Sequence, residues 1–145
     1  MTEHPSSSFP ITKGIQKLAR QIEAKSETKH VPVEPAEECS LNSCFENVRL
    51  VVRRRGGSTQ LGWRMREQPA VYVEGEFYAI WRAPDGSLID VTPRTDGLTT
   101  ILFLPDSHAV WTGEDVEPRR MMLHEKPCYC GSGMPFKICC GSGED

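Results

Sequence analysis

No long apolar run occurs anywhere in this chain of 145 residues. The first ten, Met1 to Pro10, are polar and broken by prolines. They read as a mobile start, neither a secretory signal nor a membrane anchor, so no membrane insertion is expected. Positive charge is not in excess either. The formal net charge is −3, and no global field draws the chain to nucleic acid. Apolar residues make up 38% of the sequence, a little low, with the deficit concentrated at the two ends. Internal repeats are missing, apart from a short echo of Phe77 to Trp81 in Ser107 to Trp111. A chain of this length suits one modest domain with a small appended module. Without an export signal its six cysteines are expected to stay reduced, in a cytoplasmic protein.

What is present is a clear change of period. Ile11, Ile15, Leu18 and Ile22 recur at helical spacing with basic residues between them, and predict a short amphipathic helix packed on the main domain. Residues 28–37, with Pro32 and Pro35, read as a linker. A second helix is predicted over 43–55, with Phe45, Val48, Val51 and Val52 as its apolar stripe. Ser43 and Glu46 have capping-box spacing, and Gly56-Gly57 ends the helix behind Arg53-Arg54-Arg55. From residue 59 the period becomes two: Leu61, Trp63 and Met65 alternate with Gln60, Gly62, Arg64 and Arg66. Further strands are predicted at 70–74, 76–82 and 87–92, with Ala83-Pro84-Asp85-Gly86 as a turn before the last. Residues 100–104 and 109–111 supply more strand material. The charged stretch beyond 112 reads as a linker.

The sharpest motif closes the chain. Cys128 and Cys130 are followed, after eight residues, by the adjacent Cys139 and Cys140. Two close pairs joined by a glycine-containing loop can place four sulfurs at the corners of one tetrahedron, the geometry zinc prefers. Gly131 and Gly133 permit the tight turn after the first pair. Lys126 and Lys137 stand where they offset the surplus charge of four thiolates. The site so formed is closed, and one zinc ion per chain is expected to be structural. A disulfide pair or a free cysteine-rich tail is the competing reading, weakened by a reducing compartment. His124 is a possible competing ligand, although four cysteines suffice.

At these residues the tail resembles the SEC-C motif, known from the carboxyl end of the SecA preprotein translocase ATPase. The resemblance rests on the cysteine spacing, the glycines, Lys137 and Cys139-Cys140. It implies a small zinc-bound module that contacts partners, with a protein or ribosomal surface as the expected partner.

A second constellation lies in the core. If Ser43 caps the second helix, Cys44 occupies its first turn, where the helix dipole favours a thiolate. A three-residue hairpin loop at Pro84-Asp85-Gly86 pairs Ala83 with Ser87. Counting outward puts Tyr78 and Asp90 on one face as diagonal neighbours on adjacent strands. Phe77, Ala79, Trp81, Ile89 and Val91 fill the other face. This order resembles the transglutaminase-like core of the papain-like group, in which a cysteine begins a helix, a histidine sits on a following strand and an aspartate on the next. The resemblance implies a catalytic set at Cys44, Tyr78 and Asp90. Position 78, however, is tyrosine where the family has histidine. A phenol with a reference pKa of about 10 is a poor base at neutral pH, so the set reads as a relic or as ordinary core residues. His108 could approach from a later strand; His30 falls in a linker, and Cys39 lies outside the helix.

The sequence therefore predicts an α+β protein: a small antiparallel sheet packed on one or two helices, followed by a zinc module. The expected division is 1–37 for the mobile start, helix and linker, 38–112 for the core, 113–123 for a linker and 124–145 for the SEC-C-like module. The leading function is a zinc-binding adaptor. The alternatives are a thiol hydrolase or acyl/amide transferase using Cys44 with Asp90, and nucleic-acid binding through the tail, which offers few phosphate contacts.

Overall fold

The computed structural model describes residues 9–123. The four tail cysteines and the rest of the expected zinc module lie outside them. The described residues form an α+β unit with two helices, α1 (Lys13–Ile22) and α2 (Cys44–Arg55). Its strands are β1 (Lys29–Pro32), β2 (Ser58–Gln68), β3 (Tyr72–Arg82), β4 (Leu88–Ile89), β5 (Thr100–Pro105) and β6 (Arg119–Met122).

The named strands pair antiparallel in the order β1-β5-β2-β3-β4, and β6 joins β3 beside its amino-terminal half. The sheet then curls almost shut. Just past β1 the chain runs parallel to the end of β4, with Asp90 N donating to the Pro32 carbonyl and Glu34 N to the Asp90 carbonyl, each at 2.9 Å. Closure of this kind removes exposed strand edges.

Helix α1 forms where the period-3.6 pattern places it. Ile15 and Leu18 are buried, and Thr12 caps the start by accepting from Ile15 N at 3.2 Å. Helix α2 also has its expected span, but its inward face is turned. Cys44, Asn47, Val48 and Val51 are buried, whereas Phe45 and Val52 are only partly so. The capping box does not form: Ser43 makes no side-chain cap bond, and its hydroxyl donates to the Leu41 carbonyl instead. Asn47 has the polar role on this face. Its amide donates to the Ser40 carbonyl at 2.7 Å and to Thr92 Oγ1 at 3.0 Å, and its oxygen accepts from Ser40 N at 2.9 Å. A buried amide satisfied at three points ties the loop before α2 to the end of β4.

The two strands expected at 70–74 and 76–82 are one. β3 runs unbroken through Gly75, and β2 pairs with it from Ser58↔Arg82 to Gln68↔Tyr72. Gly75 therefore marks a close approach and not a break. A Cβ there would meet Met65 Sδ at 3.1 Å and Ile22 Cδ1 at 3.3 Å, where α1 packs on the sheet. Gly62 is more constrained: a Cβ would collide with the Leu104 carbonyl and lie 2.6 Å from the Phe103 ring.

Both sheet faces are covered. Alternate residues of β5 divide between two cores, Ile101 and Phe103 in the one against α2, Leu102 and Leu104 in the one against α1. This is why β3 is buried nearly throughout, unlike a strand with one wet face. Residues 109–111, expected as strand, are not one: Trp111 packs beside the α1 core from a loop. Conversely, β1 and β6 form in stretches whose composition reads as linker. In β1 only Val31 is buried. In β6 the order comes from charge: Arg120 and Arg66 both bond the carboxylate of Glu74, whose side chain is 2% exposed. Among the described residues no helix is long and apolar enough to cross a membrane.

Candidate functional site

The Pro84-Asp85-Gly86 loop closes as expected, with Ala83 N donating to the Ser87 carbonyl at 2.8 Å. This register pairs Trp81 with Ile89 and sets Tyr78 diagonal to Asp90. The Tyr78 hydroxyl reaches both carboxylate oxygens of Asp90, at 3.1 and 3.0 Å. β4 pairs only Trp81 and Arg82. Beyond it the N–H of Ala79 donates to Cys44 Sγ at 3.4 Å. The fold thus brings Cys44, Tyr78 and Asp90 together from α2, β3 and the end of β4.

Their chemistry differs from that of a charged nucleophile and base. Burial pushes the Cys44 thiol up to about 11, aided by the nearby charges of Asp90 and Glu76 and opposed by the Ala79 N–H. Desolvation outweighs the helix dipole that the sequence reading relied on, because the turned helix face points the sulfur inward. Burial first, and then the Asp90 charge, raises Tyr78 above the ordinary phenol range. Asp90 is fully buried, and burial raises its carboxyl to about 6 against the pull of the Thr92 N–H, the Tyr78 hydroxyl and Arg94. Thr92 N donates to it at 3.2 Å, and the Arg94 guanidinium stands 3.7 Å away.

No imidazole completes this set among the described residues. His108 is exposed on the turn after β5, where its N–H donates to Asp106 at 3.0 Å. His30 is also exposed, its ring 2.7 Å from the Phe9 carbonyl. Cys39 lies outside α2, half-buried, with Sγ 3.8 Å from the Asn47 carbonyl, and burial raises its thiol as well.

Cys44 and Tyr78 line a groove of about 600 Å³. Its lining includes two ion pairs that the sequence reading missed. Arg64 bonds Glu76 at 2.9 Å and lies over the Tyr78 ring, 5.7 Å from its centroid. Arg94 clasps Asp96 at 2.7 Å. The Arg64–Glu76 pair is a direct cross-strand neighbour in the register of β2 and β3, so it becomes readable once that register is known. One wall is apolar: Phe45 and Trp111 stack with centroids 4.7 Å apart. Leu41 and Val116 are exposed at its rim.

Among the described residues no group of three or more histidine, cysteine, aspartate or glutamate side chains is placed to hold a metal. The candidate ligands Cys128, Cys130, Cys139 and Cys140 lie beyond residue 123. Their chemistry suits zinc: four thiolates form the donor set of a closed tetrahedral site.

Comparison with known proteins bears on that tail. Residues 126–142 match the family model of the SEC-C motif, and the match takes in all four cysteines. No curated protein and no solved structure matches the chain. The chain thus carries a SEC-C motif, a type of module that binds zinc and takes part in protein interaction.

Proposed function

We propose that this protein is a cytoplasmic adaptor with two binding surfaces. One is the zinc-bound SEC-C tail, docked on a protein or ribosomal surface. The other is the groove of the α+β core. The observation that carries the reading is the SEC-C match at 126–142. Cys128, Cys130, Cys139 and Cys140 hold the ion, and zinc supplies folding energy to a segment too short to bury a core of its own.

The core supports binding over turnover. Its set of Cys44, Tyr78 and Asp90 keeps the transglutaminase-like order, but tyrosine stands at the base position and the thiol titrates at about 11. A general base has to be within reach of the proton it removes, and the Tyr78 hydroxyl is engaged with Asp90. The second reading, a thiol hydrolase or acyl/amide transferase, draws its support from the three side chains meeting beside one groove. Nucleic-acid binding is opposed by the acidic balance of the chain.

The test is metal content joined to partner retention. Native mass spectrometry of protein purified without oxygen should show one zinc per chain, lost on chelation. Cys139→Ser should lose the zinc and the cellular partners while the core unfolds at its usual denaturant midpoint. A metal-free wild type, or a partner set unchanged by the substitution, would sink the adaptor reading.

A further inference from the structure

The adaptor reading leaves open what the core groove binds, and its charges narrow the answer. The two arginines in the groove lining are nearly covered, with side chains 14% and 11% exposed, and each is neutralised by a carboxylate. Those carboxylates reach further out: Glu76 is 43% exposed and Asp96 45%. Glu46, at the start of α2, is more exposed still and is paired with Arg49 at 3.5 Å, itself 56% exposed.

The opposite rim is the segment Glu114-Asp115-Val116-Glu117. Asp115 and Val116 line the groove, with Glu114 and Glu117 flanking them. All three acids are exposed, and among the described residues none has an ion-pair partner. A visitor therefore meets carboxylates before it meets the buried guanidiniums, and among the described residues no lysine lines the groove.

Below that acidic rim the chemistry is of two other kinds. Leu41, Val116 and the stacked Phe45–Trp111 pair offer apolar surface, with the Arg49 guanidinium over the Trp111 ring, 5.9 Å from its centroid. Arg64 spends Nε and Nη2 on Glu76, which leaves N–H groups at Nη1 to donate to carbonyl oxygens.

We propose that this groove binds an extended basic segment of another protein, with lysine or arginine side chains set against the acidic rim and apolar side chains against Leu41, Val116 and Trp111. The volume lies within the range of about 300–1,000 Å³ typical of pockets that enclose a ligand of several groups. A free polyamine satisfies the carboxylates but leaves the apolar wall and the Arg64 donors unused. A peptide uses all three, and its charge complementarity sets association rate and specificity.

The inference rests on the reading of the core as a second binding surface, and its test keeps the two apart. A displayed library of random nonapeptides is selected on the zinc-loaded full chain, and the enriched peptides are then titrated against that chain and against the same chain carrying Asp115→Lys and Glu117→Lys. Both positions are exposed, so the fold tolerates the change. Enriched peptides should carry lysine or arginine beside apolar residues. They should bind the doubly substituted chain about tenfold more weakly, the scale of a few exposed charge pairs lost or reversed.

The Trp111 indole resonance and the amides of residues 41–46 and 94–96 should shift on binding. Neutral or acidic enriched sequences, no enrichment, or equal binding to both chains would overturn the proposal. So would shifts confined to residues 126–142, although the tail reading would then stand. Groove shifts that persist after zinc is chelated would support the groove independently of the tail.

Discussion

Replacing Asp90 with asparagine tests the electrostatics of the core directly. Asp90 has no solvent exposure, so water does not screen its charge. Its carboxyl titrates at about 6 in the fold against 3.8 as the ordinary value, burial being the largest cause. Between those values the folded chain binds a proton that the unfolded chain has released. Stability therefore falls as pH rises through this window. A shift of about two units corresponds to about 3 kcal/mol, fully present below pH 3.8 and lost above pH 6.

Asparagine keeps an acceptor for the Tyr78 hydroxyl and the Thr92 N–H but does not titrate. Its stability relative to wild type should thus rise by about 2.5 kcal/mol between pH 4 and pH 7.5. Other groups cancel in the difference. The carboxyls of Glu74 and Asp96 sit below their ordinary range, held there against burial by guanidinium partners, and they stabilise the fold in the opposite sense, at higher pH. The assay is urea unfolding at several pH values, followed by tryptophan fluorescence. All three tryptophans lie within the described core, so the signal follows the core and not the zinc tail. A difference that stays flat with pH, or that favours wild type as pH rises, refutes the reasoning.

Two more substitutions probe the packing and the thiol. Gly62→Ala should destabilise the core by about 2 kcal/mol in the same assay, since a Cβ meets backbone of β5 that cannot give; an unchanged midpoint would show that β2 and β5 are not so close. In wild type, Cys44 should resist iodoacetamide at pH 8 until the protein unfolds, because its thiol titrates at about 11. Tyr78→His should bring its labelling into the neutral range through an imidazole oriented by Asp90, read by peptide mass mapping with zinc bound. Equal labelling of the two proteins would mean that position 78 does not act on Cys44.

The sequence was most legible where one local rule governs the residue. The spans of α1 and α2 follow from the 3.6 period, and the Ala83–Ser87 closure follows from Pro-Asp-Gly, carrying the Tyr78–Asp90 contact with it. Legibility ended where distant segments decide. β1 is held by pairing with β5 and by the backbone of Asp90, not by its own Lys-His-Val-Pro pattern. β6 is ordered by pairing with β3 and by Glu74, on a strand 46 residues away. Gly75 looked like an interruption because its reason, the end of α1 packing across it, is tertiary. The groove was hidden for the same cause. Arg64 and Arg94 belong to separate elements, and each reads in isolation as a solvated charge.

The turned face of α2 links fold to function. Had Phe45 been the buried residue, Cys44 would have faced outward in the first turn, where the helix dipole lowers a thiol. Instead Asn47 is drawn inward by Ser40 and Thr92, and Cys44, three residues earlier on the same face, goes in with it. The sulfur then accepts the Ala79 N–H that the short β4 leaves over. Tyr78 is likewise committed: its hydroxyl satisfies a buried carboxylate that would otherwise lack a donor from β3. Each member of the triad-like set thus fills a hydrogen-bonding need of the closing sheet. Proton transfer is not required for any of them to be where they are. The outward-facing chemistry at this end of the molecule, the acidic rim and the Phe45–Trp111 stack, is what the proposed peptide segment would meet.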